Sequence, residues 1–329
     1  MKLLLALPLL FLVPYNDYAQ DSLTRHMLRI YEDNDIIKLF GKMSDKGYTN
    51  GTRIDYFYIR RGRPGLFIDR WLPKAGADAA NVFSWSLTQN MFTPENIRAV
   101  EPDISDWPYS GALYVSHSLH SSNSTRNYNI QTEVLAGVMG RASLVEPVQK
   151  FIHRNTHSPY PMGWSKQYPT DVLLNLNLAV EKLVFRCRGF LDVSGGAAAM
   201  AGTMINGMSV YGLLRFGKMA PYYKGYIAQY NTPFGRRRKL QAYALLRPSF
   251  EWIGYNAVLE GGVFSGKSEY YRHNANTADV NHSISRRLDI TAVLAYGNVG
   301  LSFTQRIMPG LVDGFGHQRL GNVSLYIGW

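Results

Sequence analysis

The sequence predicts an all-β protein, a transmembrane antiparallel β-barrel of about twelve strands. Three observations predict it. First, residues 321–329 alternate cleanly, with Val323, Leu325, Ile327 and Trp329 on one face and Asn322, Ser324, Tyr326 and Gly328 on the other. An amphipathic strand that ends on an aromatic is the closing strand of an outer-membrane barrel. Second, no stretch beyond the N-terminal region approaches the roughly 20 apolar residues that a spanning helix needs, and the mean hydropathy is −0.17. Lipid leaves backbone N–H and C=O groups no partner outside the protein, so a membrane chain without long apolar runs must close into a barrel. Third, 22 Tyr and 30 Gly suit aromatic girdles and tightly turned strands.

The elements follow in order. Met1-Lys2, the apolar run Leu3 to Val13 and the small residues near Tyr18-Ala19-Gln20 read as a cleaved export signal over residues 1–20, with the barrel over 21–329. Period-two alternation then recurs along the chain. Val172, Leu174, Leu176, Leu178 and Val180 oppose Leu173, Asn175, Asn177, Ala179 and Glu181. Tyr128, Ile130, Val134, Ala136 and Val138 oppose Asn129, Gln131 and Glu133. With the weaker segments, strands are expected near 24–34, 49–60, 81–92, 110–120, 127–139, 169–184, 188–200, 206–217, 239–256, 284–296, 298–307 and 319–329. An even count lets both termini lie in the periplasm. The connections at 35–48, 93–109, 140–168, 201–205, 257–283 and 308–318 are then extracellular. Two periplasmic connections, 61–80 and 218–238, are longer than such turns usually are.

Charge and cysteine content narrow the partners. A formal charge of +11 calls for anionic partners, and for an exported chain these are lipid phosphates rather than nucleic acid. The run Arg236-Arg237-Arg238-Lys239 is equally consistent with a solvated basic surface. A single cysteine, Cys187, excludes an internal disulfide.

The residues able to carry chemistry gather in the expected extracellular connections. The first strand ends in Tyr31-Glu32-Asp33-Asn34-Asp35, and the second begins with Asp45-Lys46-Gly47-Tyr48-Thr49-Asn50-Gly51. Carboxylate, amide and hydroxyl oxygens are the donors a hard cation such as calcium prefers, although the same residue types also crowd into ordinary turns. Ser143 to Arg154 reads as a short helix with Pro147 in its first turn and Leu144, Val148, Phe151 and Ile152 able to pack. Gln149 and His153 are four apart and share a face, and a histidine beside an oxygen-rich cluster is able to take a proton from water.

Several short pieces in order carry a resemblance. Asn34-Asp35, Tyr48-Thr49-x-Gly51, Gln89-x-x-Phe92-Thr93-Pro94, Pro108-Tyr109-x-Gly111, Gln149-x-x-x-His153, Gly163-Trp164 to Gln167 and Tyr255-Asn256-x-x-Leu259 resemble the outer-membrane lipid A 3'-O-deacylase family over nearly the whole mature chain. The resemblance implies a twelve-stranded barrel with a calcium-dependent site at its outer rim, which hydrolyses the ester of the 3'-linked acyloxyacyl group of lipid A in lipopolysaccharide. It makes His153 the general base, has Asn34, Asp35 and Thr49 organise calcium and the pocket around the ester carbonyl, and sets Arg98, Lys46 and Gln149 against substrate. Two positions depart from the pattern. Ile97 replaces half of a basic pair with Arg98, and Pro159 stands where the family has a Glu six residues after the base, a loss that Glu146 or another loop carboxylate would have to offset.

Two other readings compete. An outer-membrane phospholipase would draw a Ser and His pair from His120, Ser121, Ser122 and Asn123, but parity places these in a periplasmic turn. A passive channel or structural barrel would need only polar lumen residues such as Asn175, Asn177 and Glu181.

Overall fold

Twelve strands, one for each segment predicted, pair in sequence order, and the first closes on the last. The computed structural model describes residues 24–34, 37, 47–60, 65–187, 189–231, 240–272, 282–309 and 318–329. The expected signal over residues 1–20, and the basic run at 236–239, lie outside them. The strands are β1 His26–Asn34, β2 Gly47–Tyr58, β3 Ala80–Thr93, β4 Ser110–Asn123, β5 Tyr128–Met139, β6 Asp171–Cys187, β7 Leu191–Gly202, β8 Ile205–Lys218, β9 Leu240–Asn256, β10 Ser285–Tyr296, β11 Val299–Met308 and β12 Gln318–Gly328. All neighbours are antiparallel, and β1 pairs with β12 from Met27↔Gly328 to Asn34↔Gly321. The ladder runs on to the last residue, where Trp329 N–H donates to His26 O at 2.9 Å. The Trp329 ring stacks with His26 and Tyr56 at 6.0 and 6.2 Å between centroids, which makes an aromatic patch at the terminal end of the barrel.

Alternation sorts the two faces as the sequence predicts. Leu174, Leu176, Leu178 and Val180 of β6 are exposed on the outer wall, as are Ile54, Leu87 and Val115 on β2, β3 and β4, while Asn175 and Asp55 are buried in the lumen. Inside, Asp55 accepts from Arg29 and Arg53 at 2.6 Å each, and Arg53 also reaches Glu133 at 2.9 Å. Charges removed from water persist only with such partners.

Among the described residues, connections fold in at both ends of the lumen, and one of them accounts for the length of the 218–238 connection. Its described part folds inward through a turn at Tyr222–Lys224 and the short α2, Ile227–Tyr230. Tyr230 stacks on Tyr326 at 3.9 Å between ring centroids, and Tyr226 lies tilted against His120 at 4.3 Å. The Tyr226 hydroxyl accepts from Arg29 at 2.9 Å, and Tyr222 donates to Glu181 at 2.7 Å. At the other end, the connection after β9 turns back over the barrel through α3, Ala257–Glu260, and α4, Glu269–Arg272. Leu259, Val258 and Tyr271 join Trp107, Tyr168 and Leu173 in a buried cluster. Asp171 pins this cap, accepting from the N–H groups of Phe264 and Ser265 at 2.8 and 2.7 Å. Asn256 of the Tyr255-Asn256-x-x-Leu259 piece caps α3 by accepting from Val258 N–H at 3.3 Å. The protein reconstituted in a planar bilayer is therefore expected to show no stepwise ion conductance; steady open-channel steps would contradict a lumen obstructed by these connections.

The 61–80 connection is long for a different reason: residues 65–75 form a strap along the outer wall. Leu72 packs on Phe83 and Leu119, and Asp69 Oδ1 meets His117 Nε2 at 2.7 Å. The phospholipase candidates are consumed here and in the lumen. Strand β4 continues to Asn123 rather than ending at 120, Ser121 Oγ accepts from Ala75 N–H and donates to Asn81, Asn123 donates to Ala75 O, and His120 faces the tyrosine plug. No Ser and His pair forms among these residues.

Candidate functional site on the outer wall

At the end of the barrel away from the termini, register lines up two polar rows on the outward face. Asn34 pairs with Asn50, Asn50 with Met91, and Met91 with Gly111. One step nearer the middle, Glu32 pairs with Thr52, Thr52 with Gln89 and Gln89 with Leu113. The next outward row, Ile30, Ile54, Leu87 and Val115, is wholly apolar. A polar patch on β1 to β3 therefore borders the lipid-facing belt directly. Both Asn50 and Thr52 donate to the Glu32 carboxylate, Thr52 at 2.6 Å.

Thr49 is the extra residue of a bulge between Tyr48 and Asn50 in the β2–β3 ladder. The bulge turns its hydroxyl to Thr93 Oγ1 at 2.7 Å, and Thr93 shares the outward face with Met91 by alternation. Behind the patch, in the lumen, Asp33 fixes the end of β1 by accepting from Tyr31 at 2.6 Å and Tyr48 at 3.3 Å. The glutamate, amide and hydroxyl oxygens gathered here fit a hard cation of the calcium type, although no group of three or more His, Cys, Asp or Glu assembles among the described residues. Asp35 and Lys46 lie outside the described residues.

The predicted helix, α1, spans Val145–Thr156 and lies against the outside of β3 and β4. The chain leaves β5 through a turn at Gly140–Ser143, and Leu144 launches the helix from a left-handed conformation, φ 58°. The face that packs is not the predicted one. Leu144, Val148, Phe151 and Ile152 are exposed, whereas Val145 and Gln149 are buried with Met91, Ile97, Tyr109 and Trp164 beneath them. Outside a membrane barrel the apolar face of a helix has lipid available and need not turn inward.

Contact with the wall is close at Gly111, where a Cβ would stand 2.5 Å from Val145 Cγ2 and 2.8 Å from Ser143 Oγ. The remaining ties are polar. Gln89 donates to Ser143 O at 2.7 Å, and Gln167 donates to Glu146 at 3.0 Å. Trp164 Nε1 donates to Gln149 Oε1 at 2.7 Å.

This arrangement gives Gln149 a task other than the substrate contact expected of it. At 1% exposure it offers a ligand no surface and instead joins the helix to Trp164. Glu146 is shared between Lys150 and Gln167. Ile97 sits in the cluster below the helix, its carbonyl accepting from Met162 N–H and from Tyr109 Oη, so this half of the expected basic pair is a packing position. Arg98 beside it is exposed. Burial pushes the Tyr109 phenol up, and it raises Asp106 in the same connection against the opposing N–H groups of Glu95 and Trp107.

His153 continues the face of Val145 and Gln149 by one further turn, so it faces the wall side of the helix. The helix then ends at His157 in a left-handed cap, φ 56°, whose N–H and that of Ser158 both reach His153 O. This reversal returns Pro159 to the imidazole, and its carbonyl oxygen lies 2.6 Å from His153 Nδ1. A carbonyl only accepts, so Nδ1 carries a proton, and in the neutral ring Nε2 is then the nitrogen with the lone pair. Pro159, at the position of the expected Glu, orients the histidine through its backbone.

Thr52 was absent from the sequence-based candidates. Its alternation with Ile54 and Tyr56 was the signal that placed it on the outer face beside Glu32.

The family model described as "Outer membrane protein LpxR" matches residues 3–329. Among solved structures, LpxR from Salmonella typhimurium aligns with a TM-score of 0.72 at 16% identity, covering 92% of this chain and 100% of that one. The KdgM porin, at 7% identity, covers 92% of this chain and 99% of its own with a TM-score of 0.38. The beta domain of the Bordetella autotransporter BrkA, at 10% identity, covers 93% of this chain and 99% of its own at 0.41. No curated protein sequence matches. The barrel is therefore that of a bacterial outer-membrane protein, and with nearly the whole chain matched, the protein belongs to the outer membrane protein LpxR family.

Proposed function

We propose that the protein is a calcium-dependent esterase of the outer leaflet, which removes the 3'-linked acyloxyacyl group of lipid A. The observation that carries this reading is the wall-side imidazole of His153 with Nδ1 held by Pro159 O at 2.6 Å, on a helix rooted beside an oxygen-rich patch that borders the lipid belt. A lipid ester presented from the leaflet meets that patch without entering the barrel. With the termini in the periplasm, as in barrels of even strand number, the patch faces the extracellular side.

In the proposed reaction Nε2 of His153 takes a proton from water as the water oxygen bonds to the ester carbonyl carbon. Collapse of the tetrahedral intermediate breaks the bond to the sugar 3' oxygen, and the imidazolium returns the proton to that oxygen. No side-chain nucleophile is required. Asn34, Asp35 and Thr49 would hold calcium, which when bound supplies polarisation of the carbonyl and counter-charge for the oxyanion. Arg98 and Lys46 are the cations for the phosphates of lipid A. The connections folded into the lumen disfavour a channel, and the engaged Ser121 disfavours a Ser and His phospholipase.

Mass spectrometry of lipid A incubated with the refolded protein tests this. Loss of one acyloxyacyl unit is expected with calcium, and a chelator should slow it on the order of 100-fold or more, the scale of several kcal/mol of Lewis-acid stabilisation. Unchanged lipid A in calcium would refute the reading. A lysophospholipid product that needs no calcium would favour a phospholipase.

A further inference from the structure

The strap over residues 65–75 is unlike the short turns that join strands at the terminal end of the barrel. It lies on the outer wall, over the outward-facing pair of Phe83 and Leu119 and against His117, which pairs with the exposed Trp85 in the next outward row. One side of it is bonded to the barrel through Leu72 and the Asp69–His117 pair. The other side projects Phe67 and Trp71, 75% and 74% exposed, with ring centroids 6.1 Å apart. Two adjacent large aromatics turned away from the protein would be a liability in water. On a membrane wall they match the amphipathic rings that settle at headgroup depth, and they lie at the same end as the stacked Trp329, His26 and Tyr56.

The charge on the strap is one-sided. Asp69 is its only acid and is fully buried, shared among His117, Arg60 and the Leu66 N–H. Arg70 and Lys74 are exposed. Arg60, also exposed, lies over the Tyr58 ring at 5.5 Å. The outward-facing groups are therefore aromatic and cationic together.

We propose that this strap is a binding surface for anionic phospholipid, with Phe67 and Trp71 in the acyl and headgroup boundary and Arg70 and Lys74 on lipid phosphates. It is separate from the oxygen-rich patch beside α1, at the opposite end of the barrel. Its occupant belongs to the leaflet that contacts the terminal end. The Asp69–His117 pair holds the strap to the wall so that the aromatic side cannot fold back on the barrel.

The full-length barrel in nanodiscs of mixed phosphatidylcholine and phosphatidylglycerol tests the proposal. The fluorescence of Trp71, taken as the difference between the protein and Trp71→Phe, is expected to be quenched by brominated lipid and shielded from aqueous acrylamide. Native mass spectrometry should retain phosphatidylglycerol in preference to phosphatidylcholine. Arg70→Gln with Lys74→Gln should weaken that retention roughly tenfold, as expected for two cations at a charged surface. Phe67→Ser, which leaves the Asp69–His117 latch in place, supplies a folded variant with reduced Trp71 burial. Quenching of Trp71 from water but not from lipid would overturn the proposal, as would equal retention of the two lipids or retention indifferent to the double substitution. Capture of a water-soluble protein by the strap in the lipid-embedded barrel, lost in Trp71→Ser, would assign the surface to a different partner and overturn it as well.

Discussion

His153→Ala should reduce lipid A deacylation by about 10²- to 10⁴-fold, the usual contribution of a positioned general base. The barrel should still fold, because the imidazole contributes one hydrogen bond to an exposed helix end and nothing to the strand ladder. His153→Asn sharpens the test. Its amide could still donate to Pro159 O but offers no basic nitrogen to water, so the loss should match that of alanine. Pro159→Ala keeps the carbonyl that orients the ring and is expected to stay within a few-fold of the parent. Initial rates of acyl release, with heat-modifiable mobility as the check on folding, decide the matter. Full activity in His153→Ala would remove the proposed mechanism, and a collapse in Pro159→Ala as large as that of His153→Ala would show that the side chain rather than the carbonyl is needed.

The second large effect is expected at Trp164, which touches no substrate in the proposed reaction. It is fully buried beneath α1 and donates to Gln149. Truncation to alanine removes an aromatic from a packed site, which costs about 3–5 kcal/mol, and leaves the Gln149 oxygen without its donor. The twelve-strand ladder is unaffected, so the cost falls on the attachment of the helix. A shift of about 1 Å in a catalytic group can cost on the order of 100-fold in rate, and Trp164→Ala should approach that loss. Hydrogen exchange should rise across residues 145–156 while the strands remain protected. Gly111→Val approaches the same joint from the wall, since its Cβ would press into Val145 at 2.5 Å. A protected helix with full activity in both variants would show that α1 is held by something other than this cluster.

The barrel was legible because strand alternation is local. A period of two, carried by segments such as Val172 to Val180, fixes both the strand and its faces without reference to any neighbour. Counting the strands then brought Asn34, Thr49, Arg98 and His153 to one end of the barrel. The pieces that suggested a family largely serve to seat α1: Gln89 bonds to Ser143, Gly111 makes room for Val145, and Trp164 and Gln167 hold Gln149 and Glu146.

What the sequence by itself determined is therefore the closed β architecture, the strand positions and the presence of a helix carrying His153, because each rests on periodicity within a few residues. The tertiary structure alone decided which side of that helix faces the wall. Amphipathicity identifies an apolar side, but beside a membrane that side is as well served by lipid as by protein, and the buried side became Val145 and Gln149. It also decided that the Pro159 carbonyl takes up the orientation of His153, since a backbone group leaves no trace in residue identity. The long connections likewise gave no sign of their paths: one turns its tyrosines into the lumen and the other lies outside, held by Asp69 and His117. Their destinations depend on surfaces assembled from strands distant in sequence.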